Sequence, residues 1–151
     1  MDRVAESRLP RDYRQRTVKV LNFILRLALG GIFLYAGAIK IVHPADFSAS
    51  IGNYRLLPHE LINLLAITLP WIEVVAALML LFGIWKRTSA ALIVIMLVVF
   101  LIAIGQAVAR NLNIDCGCFG TVAGRRVGLM AIGEDVLMFV AALWLTLKER
   151  D

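Results

Sequence analysis

The sequence predicts an all-α fold, a bundle of four transmembrane helices, on three observations. The chain is 60% apolar over 151 residues, with a mean hydropathy of +0.80. A soluble core of this size cannot hide that much apolar surface, but lipid can. The apolar residues also gather in four stretches, each long enough to cross a bilayer as a helix, and charged segments separate them.

Residues 1–19 form a basic segment in which Arg3, Arg8, Arg11, Arg14, Arg16 and Lys19 cluster. Asp2, Glu6 and Asp12 interrupt the run, and Tyr13 is its one aromatic residue. That pattern disfavours a nucleic-acid arm. It suits a cytoplasmic segment held against anionic lipid headgroups.

The first span, residues 20–42, is longer than the apolar region of a signal peptide and is followed by no small-residue cleavage site. It reads as retained. In the next loop Phe47, Ile51 and Tyr54 recur at helical spacing after Pro44, with Asp46, Ser48, Ser50 and Asn53 between them. A short amphipathic helix in the interface, ending near Pro58, fits that pattern. Residues 61–83 give the second span, and the turn Ile84-Trp85-Lys86-Arg87 leads to the third, residues 88–109. Loop 110–126 precedes the fourth span, residues 127–147, and residues 148–151 form a tail. Residues 20–147 therefore make one membrane domain.

An even number of spans puts both termini on one side. That side carries ten of the sixteen basic residues: the six N-terminal ones with Lys86, Arg87, Lys148 and Arg150. The opposite loops carry five: Lys40, Arg55, Arg110, Arg125 and Arg126. The positive-inside rule then predicts cytoplasmic termini. The loop after the third span faces outward, into the periplasm of a Gram-negative host, where disulfides persist.

That loop contains Asp115-Cys116-Gly117-Cys118-Phe119-Gly120, with the only two cysteines of the chain. Two thiols one glycine apart can close a small, cramped disulfide, and a strained exposed bridge exchanges readily. Gly117 and Gly120 supply backbone freedom for tight turns. Arg110, Arg125 and Arg126 favour a thiolate, and Asp115 opposes it. The pair could instead ligate a soft metal, but His43 and His59 are the only further soft donors on that side, so no metal site is assigned. A passive bridge is the third option, although so small a ring is a poor staple. Redox exchange is the preferred reading, with Cys116 and Cys118 as the reacting groups.

Arg26, Glu73, Glu134 and Asp135 fall inside apolar spans, where ionisable groups are costly and face a partner or cavity. Their depths overlap within side-chain reach, at roughly 10–20 Å from the cytoplasmic ends at about 1.5 Å per residue. A polar network among them is expected, either a buried ion pair that sets helix register or a proton path or polar pocket for a quinone headgroup beside the redox turn. Arg26 shares one helix face with Gly30, Phe33, Gly37 and Lys40, and Glu73 shares one with Ala66, Pro70 and Ala77. Small residues around a polar group suggest close helix contact. Trp71 and Gln106 are further candidates for a pocket wall.

Three segments carry a family resemblance: Arg26 through Gly30, Phe33 and Gly37 to Lys40, then Leu69-Pro70-Trp71-Ile72-Glu73, then the Cys116-Gly117-Cys118 turn. Together the chain from about residue 20 to 147 resembles the MauE branch of the DoxX-like integral membrane proteins. The resemblance implies a four-helix bundle in the bacterial inner membrane. It also implies a link to maturation of methylamine dehydrogenase, whose periplasmic small subunit is rich in disulfides, together with a thioredoxin-like partner. The Glu134-Asp135 pair is more acidic than the resemblance implies for that span.

Two functions follow as expectations. In one, the protein is a thiol–disulfide oxidoreductase that passes electrons between a periplasmic thioredoxin-like protein and a membrane acceptor, with quinone as the candidate cofactor. In the other it is a non-catalytic anchor or assembly subunit of a respiratory or oxidase complex. A homo-oligomer or a larger membrane complex is compatible with either. A transporter is the weaker third option, since four spans leave little room for a pathway.

Overall fold

The structure, a computed structural model, describes residues 11–112 and 129–149. These residues hold five α-helices: α1 (Arg11–Val42), α2 (Pro44–Asn53), α3 (His59–Phe82), α4 (Lys86–Ala109) and α5 (Leu129–Lys148). No strand occurs among the described residues. Three helices, α1 from Gln15, α3 and α4, are long and apolar enough to cross a membrane. The protein is therefore a multi-pass membrane protein. The fourth expected span corresponds to the 20-residue α5.

The surface agrees with lipid as solvent. Leu64, Ile67, Val75, Ile95, Val99 and Val140 are more than half exposed, while Lys40, Glu73 and Asp135 are buried. Water would favour the reverse arrangement.

Two helix pairs pack intimately, α1 with α3 and α4 with α5. The α3–α4 seam is looser, and among the four long helices the α1–α5 seam is the thinnest. Leu29, Phe33, Ala76, Ala77, Leu80, Ile93, Leu97 and Leu145 fill the interior between them. Gly37 permits the close α1–α3 approach. A Cβ there would lie 2.7 Å from Val74 Cγ2 and 3.0 Å from the Pro70 carbonyl.

Helix boundaries differ from the hydropathy limits where polar residues continue a helix. α1 begins at Arg11, ahead of residue 20, because Gln15 to Lys19 favour or tolerate helix although lipid does not. The short helix expected in the first loop is α2, which stops at Asn53, short of Pro58. Tyr54 N–H turns back to Ile51, Arg55 takes φ 52°, and the residue before a proline resists helix.

The bundle has two distinct ends. At one, α3 closes on Gly83 at φ 74°, with Gly83 N–H on Leu80 and Ile84 N–H on Met79. This is a Schellman closure, and it leads through Trp85 straight into α4. At the other end Tyr54, Ile104 and Ala107 pack together with Leu112 and Ile132. Arg110 Nη1 donates to the Tyr54 carbonyl at 3.2 Å, tying the end of α4 to the end of α2. The cysteine-bearing segment leaves from Leu112 and rejoins at α5, so both of its anchors lie at the α2 end.

Candidate functional site: a buried lysine–carboxylate cluster

Lys40 lies in the last turn of α1, close to lipid-facing ends, yet it is only 1% exposed. Its four-carbon stem lets the ammonium turn into the bundle. There Nζ donates to Glu73 Oε1 of α3 at 2.6 Å, and Glu73 is itself 1% exposed. Two aromatic faces complete the ammonium's surroundings, Phe47 of α2 at 4.9 Å and Phe100 of α4 at 5.0 Å to the ring centroids. Such cation–π contacts strengthen when water is excluded. α5 adds Asp135, also buried.

All five helices thus contribute one group each to a single point. Lys40, Glu73, Phe100 and Asp135 line a shared cavity of about 20 Å³, which Ile32, Phe33, Ala36, Leu97 and Met138 close off. Glu73 Oε2 and Asp135 Oδ2 have no hydrogen-bond partner among the described residues. A cavity of this size holds one water molecule, and a water needs two or more polar partners. One ammonium faces two carboxylates, so the cluster is neutral only when it holds one additional proton. The arrangement can bind water and shift a proton between carboxylates inside an apolar bundle.

A larger apolar slot, about 270 Å³, adjoins the cluster. Phe47 and Phe100 form its inner wall, and Tyr54, Ile51, Leu69 and Val99 are among its other walls. The same two rings therefore face Lys40 on one side and the slot on the other.

The residues singled out from sequence divide into three groups. Glu73 and Asp135 are brought together. Arg26 is not Glu73's partner: its Nε and Nη2 donate to the Leu80 carbonyl at 3.1 and 3.0 Å, and Nη2 also reaches Leu81 at 3.3 Å. It caps the C-terminal end of α3, where carbonyls lack helical partners and the helix dipole favours a cation. Glu134 faces out of the bundle beside the inward Asp135, as adjacent helical positions must diverge. Trp71 and Gln106 also face outward and line neither cavity. Asp115, Cys116, Gly117, Cys118, Phe119 and Gly120 lie outside the described residues. Sequence reasoning missed Lys40 as the partner of Glu73. Its place on the Arg26–Gly30–Phe33–Gly37 face was the available signal, but Lys40 was counted with the loops.

Comparison with known proteins bears on this architecture. The family described as methylamine utilisation protein MauE matches residues 18–148. The chain belongs to the MauE family. The MauE of Methylorubrum extorquens is 33% identical over 127 residues, covering 83% of this chain and 68% of that protein. The MauE of Paracoccus denitrificans is 28% identical over 120 residues, covering 79% of this chain and 64% of its own length. The chain thus spans about two thirds of the length of these relatives. No solved structure matches it. Lys40, Glu73, Asp135 and both cysteines all fall within the MauE-matching region.

Proposed function

We propose that this MauE-family protein is a thiol–disulfide carrier of methylamine utilisation, acting in the bacterial inner membrane. Four spans, with α5 as the last, leave both termini in the cytoplasm and the Cys116–Cys118 turn in the periplasm. Twenty residues of α5 give about 30 Å of helix, the thickness of the hydrocarbon layer. Lys40 belongs to the bundle interior and no longer counts as a loop charge. The basic asymmetry then becomes ten residues against four, from the earlier ten against five less Lys40.

The relay transfers two electrons in each half-cycle. A dithiol of a periplasmic thioredoxin-like protein attacks the Cys116–Cys118 disulfide, and a mixed disulfide forms and resolves. The partner leaves oxidised, and both cysteines become thiols. Those thiols then re-form their disulfide by giving two electrons and two protons to a membrane acceptor of the quinone class, which becomes a quinol. The oxidised partner serves maturation of disulfide-containing periplasmic proteins such as methylamine dehydrogenase.

The observation that carries this reading is the common end of the bundle. Both anchors of the cysteine-bearing segment, Leu112 and the start of α5, lie there with the aromatic slot and the Lys40 cluster beneath. The apolar slot suits an acceptor ring. The cluster offers a proton-holding group nearby.

Single Cys116→Ser and Cys118→Ser variants test the relay. One of them accumulates a mixed disulfide with a periplasmic thioredoxin-fold protein, seen on non-reducing gels and released by reductant. If neither traps a partner and both support full methylamine dehydrogenase maturation, the relay is wrong. Fixed-stoichiometry co-purification with a large enzyme would then establish the anchoring role.

A further inference from the structure

We infer that the cleft between α1 and α5, at the end bearing the α3–α4 turn, binds the phosphate headgroup of an anionic phospholipid. This inference is independent of the cysteine relay.

The cleft opens in the thinnest seam among the four long helices and encloses about 990 Å³. Among the described residues four cations line it, Lys19 and Arg26 from α1, Lys86 from α4 and Lys148 from α5, against one carboxylate, Glu149. The excess is three positive charges, four less one. Lys86 lies 3.6 Å from Glu149, a separation that leaves ammonium donors for another acceptor. Arg26 uses Nε and Nη2 on the α3 carbonyls. By neutralising the negative end of α3 it removes a field that would repel an anion.

The walls favour a lipid over a free phosphate. Along α1 the cleft runs from Gln15 to Arg26, about 16 Å at roughly 1.5 Å per residue, from a polar mouth toward the hydrocarbon. Phe23 and Trp144 line its length, and Trp144 Nε1 is fixed by donating to Asn22 Oδ1 at 3.1 Å. Lys148 rides over the Trp144 ring at 5.3 Å, at the level where amphipathic side chains mark the interface. Phe23 in the wall and Leu147 next to Lys148 expose apolar surface against which acyl chains can lie. Basic pockets between membrane helices hold anionic headgroups in this way.

The test uses the full chain in mild detergent and native mass spectrometry. Phosphatidylglycerol and phosphatidylcholine compete for the protein at equal concentration. The wild type retains phosphatidylglycerol preferentially. Lys19→Gln and Lys148→Gln each lower that preference about five-fold, and together about twenty-five-fold. Both lysines are exposed, so neither replacement opens a cavity, and Lys148→Gln removes only the cation over the Trp144 ring. Arg55→Gln, which removes the same charge at the other end, leaves it unchanged. Equal retention of the two lipids, or a preference that survives the double replacement, overturns the inference. Displacement of the lipid by millimolar inorganic phosphate would assign the cleft to a soluble anion and overturn it equally.

Discussion

Arg26 Nη2 lies 2.7 Å from the point a side-chain Cβ on Gly83 would occupy. The guanidinium reaches the last carbonyls of α3 only because the residue that closes that helix has no side chain. Gly83 also sits at φ 74°, where a Cβ meets its own backbone. Gly83→Ala therefore combines left-handed strain, about 1–2 kcal/mol, with displacement of the Arg26 cap. The expected outcome is a lower midpoint of thermal unfolding in detergent. Arg26→Lys should also lose stability, because an ammonium cannot reproduce the forked contact with Leu80 and Leu81.

Removing one partner of the Lys40–Glu73 pair should cost more than removing both. Lys40→Met strands Glu73 and Asp135 as carboxylates in an apolar interior, at a cost of about 3–5 kcal/mol. Lys40→Met with Glu73→Gln replaces the pair by neutral groups of similar volume, leaves Asp135 as the one carboxyl, and should recover part of that loss. A double-mutant cycle on unfolding midpoints measures the coupling. Additive effects would show that the 2.6 Å contact contributes nothing to stability.

Gly37 makes a third prediction at the α1–α3 contact. The Pro70 carbonyl and Val74 side chain leave no space for a Cβ, and Glu73 Cβ stands 3.3 Å away. Gly37→Val should force the helices apart, at about 1–3 kcal/mol for overpacking. It should also reduce the coupling energy of Lys40 with Glu73, since both sit on the displaced faces. Gly31, where a Cβ meets nothing within 4 Å, supplies the control. Gly31→Ala should leave the coupling unchanged and should not lower the unfolding midpoint, since alanine favours helix over glycine.

These sites show which parts of the molecule were legible in the sequence. Glu73 and Asp135 stood out because a carboxylate in an apolar run has few tolerable explanations. α2 was legible from the helical recurrence of Phe47, Ile51 and Tyr54. The Arg26 contact was not, because hydropathy fixes a residue's depth but not which helix end stands opposite it. Lys40 was hidden for a related reason. A lysine near a span end ordinarily extends outward to water, and only the joint packing of Phe47, Phe100 and Glu73 turns this one inward. The polar start of α1 was equally invisible to hydropathy, since helix propensity continues where lipid preference stops.

Membrane topology gives the last prediction, and it separates the two ends of the bundle. Asn53 ends α2 beside the Tyr54–Arg110 contact, whereas Arg87 lies in the first turn of α4 at the opposite end. Both positions are exposed. In a background carrying Cys116→Ser and Cys118→Ser, Asn53→Cys and Arg87→Cys each provide a single thiol for an impermeant maleimide. In intact spheroplasts the reagent should label the first and reach the second only after the membrane is opened. The native cysteines, after reduction, should label like position 53, because their segment is anchored at that end. Labelling of position 87 from outside would invert the bundle and remove the periplasmic chemistry proposed for the cysteine pair. It would also move the basic α1–α5 cleft to the outer leaflet, yet leave its preference for an anionic headgroup intact. The two proposals therefore stand or fall on different measurements.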